Sequence, residues 1–361
     1  MEIKEILKQM GNISHISGFE TELANFLSAE FAKQHGVSVS VDKMGNFIAH
    51  KKGFSTSMTN TENPPKVMLM AHIDEIGMIV SEVRKNGFVK FSPVGGIDKR
   101  TILAQEVTIH SRKTGEKIFG VIGIKPPHLT SNSDMEKPVK ISDMAIDTGL
   151  STEKAREIIS PGDLITINTD VAELQNNKLT GRALDNTAGI AVMYHTLQAL
   201  QHFSHSADIY CVASVQEEVT GLGGETATYT IKPDIAIIVD VGFGKANGLA
   251  DHESIELGKG GAITIGPNTN RKLLDELKKA AKKHDTPYQV EVVSGMTGTD
   301  AYAVQVSKNG VITAVVSVPL KYMHSTVEVI DVADVENTGK LIANYIMSLQ
   351  NLEGESCYWK D

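Results

Sequence analysis

Apolar residues recur at two different spacings in the first part of the chain. Residues 2–11 and 18–35 carry them at helical spacing. Residues 37–50 alternate as in a β-hairpin, and the polar segment 53–65 has the composition of a surface loop. Residues 67–71 then form a short apolar run that is typical of a strand buried on both faces. This part of the chain therefore predicts two helices followed by the first strands of a sheet.

The pattern changes between residues 77 and 167. Short alternating runs separated by Gly, Pro and Asp predict a small β-rich unit, which a helix over 151–159 closes. From residue 168 onward helices alternate with strands, so we expect a mixed, mostly parallel sheet with helices on both faces. The predicted organisation is an α/β domain formed by residues 1–76 and 168–361, interrupted by an insertion at 77–167. The predicted helices of the second part are 186–203, 222–229, 270–284, 299–307 and 332–349, and the strands are 207–215, 234–240, 262–266, 288–293 and 311–317.

Composition narrows the class of protein. The net charge is −9 and no extended basic stripe occurs, so nucleic acid is not an expected partner. No stretch reaches the roughly 20 apolar residues of a membrane helix, and a membrane is not expected either. Of the two cysteines, Cys211 lies in an apolar run and Cys357 in the polar tail, which is not a disulfide framework. We therefore expect a cytoplasmic protein.

Ionisable side chains stand where the predicted strands end. In open α/β sheets ligands bind at the carboxyl ends of the strands, so residues at these positions are candidates for a site. One strand runs into His72, a second into Glu217 and Glu218, a third into Asp240, and a fourth leads to His324 after a short loop; Asp185 immediately precedes a helix. Each residue alone has an ordinary explanation, such as a helix cap for Asp185. Their joint placement favours a shared site.

Two His and several carboxylates are the side chains that a pair of divalent metal ions requires. They suit Zn or Co, with Mn also possible, and do not select among these metals. Two ions suit hydrolysis of a stable bond, and a carboxylate outside the metal shell can act as general base. The adjacent Glu217 and Glu218 can supply a ligand and a base between them. In the segment His72-Ile73-Asp74, two-residue spacing predicts a hydrogen bond from the His72 ring to the Asp74 carboxylate.

These residues lie within motifs that resemble a known family. The sequence resembles the glutamyl and tetrahedral (TET) aminopeptidases, family forty-two of the metallopeptidases, in the clan of co-catalytic zinc exopeptidases. The resemblance covers about residues 15–345. The matching motifs are Met70-Ala-His-Ile-Asp-Glu-Ile-Gly77, Pro93-Val-Gly-Gly-Ile-Asp98, Lys125-Pro-Pro-His-Leu129, Gly181-Arg-Ala-Leu-Asp-Asn186, Val215-Gln-Glu-Glu218, Gly221-Leu-Gly-Gly224, Gly298-Thr-Asp300 and Tyr322-Met-His-Ser325.

The resemblance implies a role for each residue of the site. It implies that His72 and Asp240 bind one metal ion, that Glu218 and His324 bind the other, and that Asp185 bridges them. By the same resemblance, Glu217 would be the general base and Asp74 a supporting acid. The resemblance also implies a zinc-exopeptidase-like fold and identifies the insertion with a PDZ-like dimerisation domain. Dimers are expected to assemble into a dodecamer that admits small or unfolded peptides.

The resulting hypothesis is a dinuclear-metal aminopeptidase that removes the N-terminal residue from short peptides. In this hypothesis a metal-bound hydroxide attacks the first peptide bond, with Glu217 as general base. One alternative is another hydrolase on the same metal frame, such as an N-acyl amino acid deacylase or a carboxypeptidase. A second alternative is a non-catalytic assembly protein. A glycosidase would leave His72 and His324 unexplained. The preferred N-terminal residue stays open.

Overall fold

A computed structural model describes residues 1–54, 64–131 and 137–349. Most of the surface loop expected at residues 53–65 lies outside the described residues, as does Cys357. Cys211 is buried in strand 208–214, as its apolar surroundings predict. None of the described helices combines the length and apolar character needed to cross a bilayer.

Two β-sheets form the framework of the molecule, an 11-stranded mixed sheet and a closed barrel. Strands β4 to β9 form the barrel, and all the others belong to the large sheet. In chain order the strands are β1 (Val37–Val41), β2 (Phe47–Lys51), β3 (Lys66–His72), β4 (Gly77–Val83), β5 (Val89–Val94), β6 (Glu106–His110), β7 (Lys117–Gly123), β8 (Ala145–Asp147), β9 (Leu164–Ile167), β10 (Ala172–Leu174), β11 (Lys178–Gly181), β12 (Asp208–Ser214), β13 (Ile235–Phe243), β14 (Ala262–Ile265), β15 (Gln289–Val292), β16 (Ile312–Lys321) and β17 (Glu328–Asp331).

The centre of the large sheet is parallel. Strands β12, β3, β13 and β16 are neighbours in this order and run in the same direction. They are almost continuously apolar and buried, as expected for strands covered on both faces. Their register aligns Ser214 with His72 and Asp240 with Ser317. Residues near the carboxyl ends of strands that are far apart in the sequence therefore meet at one edge of the sheet.

Helices cover both faces of this sheet. One face packs against α1, α2, α4, α6 and α8, and the opposite face packs against α5 and α7. The mixed α/β fold with helices on both faces and a separate small β unit is confirmed. The helices are α1 (Ile3–Gly11), α2 (Thr21–Phe31), α3 (Thr152–Ile158), α4 (Leu184–Ala199), α5 (Leu222–Ile231), α6 (Arg271–Lys283), α7 (Ala301–Gln305) and α8 (Val332–Ser348).

The barrel has a core of its own. Its strands are antiparallel in the order β4-β5-β8-β7-β6-β9, and they enclose apolar side chains such as Met78, Val107 and Ile165. Helix α3 adds Ala155 and Ile158 to this core. The role of the barrel in dimerisation stays a prediction.

Several strands were absent from the sequence-based prediction. The hairpin β10–β11 and strand β17 extend the large sheet by antiparallel pairing. Strand β10 is three residues long and fully exposed, so it has no alternating pattern to recognise. Strand β17 is four residues long and buried throughout, and it contains the acidic residues Glu328 and Asp331. Short strands of this kind are specified by their sheet partners, because their own sequence carries no periodic signal.

Candidate metal centre

Five residues singled out from the sequence converge at the carboxyl edge of the parallel strands. His72 is the last residue of β3, Asp240 lies in β13, Glu218 follows β12 and His324 follows β16. Asp185 lies in the first turn of α4. Their ligand atoms form two groups, each within 4.8 Å: His72, Asp185 and Asp240 in one, and Asp185, Glu218 and His324 in the other. Asp185 belongs to both groups.

Asp185 lies between two imidazole rings. Its Oδ1 atom is 3.0 Å from Nε2 of His72, and its Oδ2 atom is 3.5 Å from Nε2 of His324. His72 Nε2 also lies 3.8 Å from Asp240 Oδ1, and His324 Nε2 lies 3.4 Å from Glu218 Oε1. Each oxygen of the Asp185 carboxylate therefore faces a different His–carboxylate pair.

The two imidazoles are oriented in the same way. Nδ1 of His72 lies 2.9 Å from the backbone carbonyl of Asp74, and Nδ1 of His324 lies 3.0 Å from the carbonyl of Gly96. A neutral ring whose Nδ1–H donates to a carbonyl presents its Nε2 lone pair, and this is the arrangement of most metal-bound His residues. Gly96 follows β5, so a segment next to the barrel helps to orient His324. A Cβ at Gly96 would come within 2.8 Å of His324 Nδ1, which shows how closely the two segments pack.

The structure corrects the expected contact of Asp74. Its carboxylate stands 3.6 Å from Nδ1 of His72, outside hydrogen-bond distance, because the backbone carbonyl of Asp74 takes that position. The carboxylate instead accepts the backbone N–H groups of Glu217 at 2.9 Å and Glu218 at 3.1 Å, and the hydroxyl of Ser17 at 2.5 Å. Asp74 is fully buried and supports the loop that carries the two Glu residues.

A helix cap by Asp185, the ordinary alternative for this residue, does not occur. The side chain of Asp185 makes no capping hydrogen bond, and its two oxygens face the rings of His72 and His324 instead. The next residue caps the regular helix, because Oδ1 of Asn186 accepts the N–H of Gly189 at 2.9 Å. Nδ2 of Asn186 donates to the carbonyl of Val239, which precedes Asp240. Asn186 therefore leaves the Asp185 carboxylate available to the site and links it to strand β13.

Glu328 is a residue of this site that the sequence analysis missed. Its Oε2 accepts the backbone N–H of Asp185 at 3.1 Å, and its Oε1 accepts the N–H of His324 at 3.0 Å. The side chain is buried, and burial together with the nearby Asp185 charge raises its pKa well above the usual range. A carboxylate inside the apolar run Val327–Ile330 was the available signal.

Burial and mutual repulsion dominate the electrostatics of the site. Burial, with the charge of Asp185 as the next cause, raises the pKa of Glu218 to about 8. Burial also raises the pKa of Asp240 well above its usual range. Burial acts to raise the pKa of Asp185 too, but hydrogen bonds to His324 and His72 outweigh it and hold that pKa below its usual range. The hydrogen bond that the His324 ring donates to Asp185 raises the pKa of His324 to about 9.

This donor set fits divalent metal ions. Two imidazole nitrogens and three carboxylates converge with the His tautomers set by backbone carbonyls, and such N and O donors suit borderline cations. A cation would also offset the burial and the charge repulsion that raise the pKa values of Glu218 and Asp240, since positive charge favours the ionised carboxylate. The site is therefore a cluster of residues able to hold metal ions.

The cluster opens into a cavity of about 610 Å³. Glu217 lines this cavity beside His72 and Glu218, and burial raises its pKa. Asp300, from the motif Gly298-Thr-Asp300, lies in the same wall and accepts the hydroxyl of Ser214. Burial, with the Glu217 charge as the next cause, raises the pKa of Asp300 to about 7. A ligand in this cavity would therefore lie beside the ionisable groups Glu217 and Asp300 as well as the metal-binding cluster.

A mixed α/β sheet with clustered His and carboxylate side chains at its carboxyl edge is the arrangement of a metal-dependent hydrolase. The family model described as M42 glutamyl aminopeptidase matches residues 45–341. The chain belongs to this family, and it is an enzyme of the aminopeptidase class.

Individual relatives agree with this assignment over nearly the whole chain. A lysyl aminopeptidase of Pyrococcus furiosus is 35% identical over 97% of this chain and 98% of its own length. The structure of an aminopeptidase from the archaeon Desulfurococcus kamchatkensis matches with a TM-score of 0.86 at 35% identity, covering 96% of this chain and 95% of that one. The TET1 peptidase of Pyrococcus horikoshii matches with a TM-score of 0.82 at 29% identity, covering 96% and 100%. That peptidase can assemble into a tetrahedron or a large octahedral shell.

Proposed function

We propose that this protein is a dinuclear-metal aminopeptidase that removes the N-terminal residue from short peptides. His72 and Asp240 would hold one divalent ion, Glu218 and His324 the other, and Asp185 would bridge them. Zn or Co are the expected ions, with Mn as a further possibility. The observation that carries the proposal is the position of Asp185, whose two carboxylate oxygens face Nε2 atoms of two different His residues.

Bound divalent ions supply Lewis acidity, which polarises the scissile carbonyl and lowers the pKa of water. Glu217 accepts a proton from the attacking water and returns it to the amine of the leaving peptide. Its position beside the cluster, on a loop whose backbone hydrogen-bonds to Asp74, supports this role. Asp74 acts as a positioning residue, because its carboxylate contacts the loop and lies outside hydrogen-bond distance of His72.

The proposed substrates are peptides with a free N-terminus. We extend the assembly of the Pyrococcus horikoshii peptidase to this chain and propose dimers that build a dodecamer, with the barrel of residues 77–167 as the dimerisation domain. A cytoplasmic location stays a prediction from the cysteine content.

Paired substrates test this function. An aminopeptidase hydrolyses aminoacyl-anilides and free peptides but ignores N-acetylated peptides, whereas a deacylase or a carboxypeptidase accepts the acetylated ones. A chelator should abolish turnover, and Zn or Co should restore it. Activity on N-acetylated peptides alone would favour the alternative hydrolases. Absence of bound metal together with absence of any hydrolysis would favour the non-catalytic assembly protein.

The assignment of Glu217 has its own test. The Glu217→Gln variant should keep its fold and its metal content but lose turnover. Full activity of a correctly folded Glu217→Gln enzyme would refute the assignment of the base.

A further inference from the structure

A polar row crosses the strands on the face of the sheet that carries the metal cluster. Asp240 in β13 is in register with Ser317 in β16, and Thr264 in β14 is in register with Glu291 in β15. The two pairs meet, because the hydroxyls of Thr264 and Ser317 are 3.4 Å apart. On the same face, earlier residues of β13 and β16 are apolar and pack against α5 and α7. The change from apolar to polar residues thus marks the floor of the 610 Å³ cavity.

Glu291 stands at the end of this row. Its Oε1 accepts hydrogen bonds from the hydroxyls of Thr264, at 2.5 Å, and Ser317. The second carboxylate oxygen lies close to the backbone of β13, since a Cβ added at Gly242 would meet Glu291 Oε2 at 3.2 Å. Gly242 is two residues beyond Asp240, so both lie on the same face of the strand. Two hydroxyl donors thus hold the Glu291 carboxylate within the same cavity as the metal cluster.

The charge of Glu291 has no partner of opposite sign in the described part of the chain. No Lys or Arg among the described residues lines the cavity, whose two His belong to the metal cluster. Two divalent ions carry as much positive charge as four ionised carboxylates carry negative charge. They would offset Asp185, Glu217, Glu218 and Asp240. The carboxylate of Glu291 would stay uncompensated, as would that of Asp300 when it is ionised. A cationic group on the substrate would supply the missing charge.

Apolar side chains form part of the lining of the cavity that contains Glu291. Phe243, Val293 and Met296 line the cavity, and Phe243 and Met296 are exposed residues. Lys and Arg side chains combine an apolar stem with a cationic end, which matches a cavity lined by both apolar side chains and a carboxylate. An acidic substrate side chain would meet repulsion from Glu291 at the same place. A neutral apolar side chain would leave the Glu291 carboxylate without a positive charge beside it.

We propose that Glu291 is a specificity-determining residue that selects peptides with a cationic N-terminal side chain, Lys or Arg. This inference rests on the proposed aminopeptidase function and adds the substrate class. Glu291 binds the ammonium or guanidinium group of the first residue, while the metal cluster holds the bond that is cleaved.

The test compares lysyl-anilide with norleucyl-anilide on the metal-loaded enzyme. The two side chains share a stem of four carbon atoms, and only lysine carries a charged ammonium group at its end. We expect kcat/KM for the lysyl substrate to exceed that for the norleucyl substrate by about tenfold or more at low salt, with a smaller ratio at high salt. A ratio of one or below in the wild-type enzyme would overturn the proposal, whatever any variant does.

Two variants test whether Glu291 determines the preference for the lysyl substrate. In Glu291→Gln the lysyl-to-norleucyl ratio should fall to near one, because the amide keeps the hydroxyl contacts and loses the charge. The matched control Glu253→Gln, at an exposed carboxylate outside the cavity, should keep the wild-type ratio. An unchanged ratio in Glu291→Gln, or an equal loss for both substrates, would assign Glu291 a merely structural role and overturn the proposal.

Failure of the proposed aminopeptidase function would give a different experimental result from failure of the specificity proposal. If the metal-loaded wild-type enzyme cleaves no aminoacyl-anilide and no free peptide, the aminopeptidase proposal falls and the specificity proposal falls with it. If it cleaves leucyl or glutamyl substrates but does not favour lysyl or arginyl ones, only the specificity proposal falls.

Discussion

Oδ1 of Asp74 accepts the backbone N–H of Glu217 in a hydrogen bond of 2.9 Å. The other carboxylate oxygen, Oδ2, accepts the N–H of Glu218 at 3.1 Å. One buried carboxylate therefore sets the backbone of the loop that presents both the proposed base and a proposed metal ligand. Since Nδ1 of His72 is already bonded to a backbone carbonyl, the effect of Asp74 on the site passes through this loop.

The Asp74→Asn variant should impair turnover more than it impairs metal binding. The amide NH₂ group cannot accept the N–H that one of the carboxylate oxygens now accepts, so the Glu217–Glu218 loop shifts. We expect kcat to fall about 10- to 100-fold, the usual effect of losing a residue that supports a metal site. Steady-state kinetics and elemental analysis of the same sample measure both quantities. Wild-type kcat in a folded Asp74→Asn enzyme would contradict this positioning role.

Glu217 and Glu218 should respond differently to the same substitution. Glu217→Gln removes a proton acceptor and should lower kcat about 10²- to 10⁴-fold while the metal content stays near that of the wild type. Glu218→Gln removes a ligand charge and should lower the metal content together with activity. Inductively coupled plasma analysis alongside kcat separates the two cases. If both variants lost metal to the same extent, the division of roles between the two residues would be wrong.

The Glu328→Gln variant should weaken metal binding although Glu328 is not among the proposed ligands. Its two oxygens hold the backbone N–H groups of Asp185 and His324, and a Gln side chain can accept only one of these bonds. We expect metal affinity to fall about 10- to 100-fold, measured by competition with a chromophoric chelator. Glu82→Gln is the control, because the Glu82 side chain is 63% exposed on the barrel. Equal affinities of the two variants would exclude a positioning role for Glu328.

The Gly189→Ala variant should destabilise the fold near the site. A Cβ at residue 189 would meet Asn186 Oδ1 at 2.4 Å and the carbonyl oxygen of Val239 at 2.7 Å. Overpacking of this kind costs about 1–3 kcal/mol of unfolding free energy. Thermal unfolding measures the loss, with Gly295→Ala as the control, because a Cβ at residue 295 has no described neighbour within 4 Å. A Tm equal to that of the control would show that helix α4 can shift at no cost.

Much of the fold was predictable from the sequence. Strand β2 alternates in burial along its length, whereas the central parallel strands are continuous apolar runs because both of their faces are buried. The same reasoning located His72, Asp185, Glu218, Asp240 and His324 near the carboxyl ends of strands or at a helix start, although β13 continues to Phe243 beyond Asp240. The β10–β11 hairpin and strand β17 were missed, because these short strands depend on partners distant in the chain.

The sequence by itself determined the α/β class, the β-rich insertion and the residues that gather at the carboxyl edge of the sheet. It could do so because element periodicity and strand ends are local properties of the chain. Only the tertiary structure decided which atoms face each other: the loop contact of Asp74, the support from Glu328 and the position of Glu291 in the cavity. Asp74 and Glu217 are 143 positions apart in the sequence, and Asp185 and Glu328 are separated by the same number of positions. Strand register and packing bring such residues together, and no local pattern encodes either one.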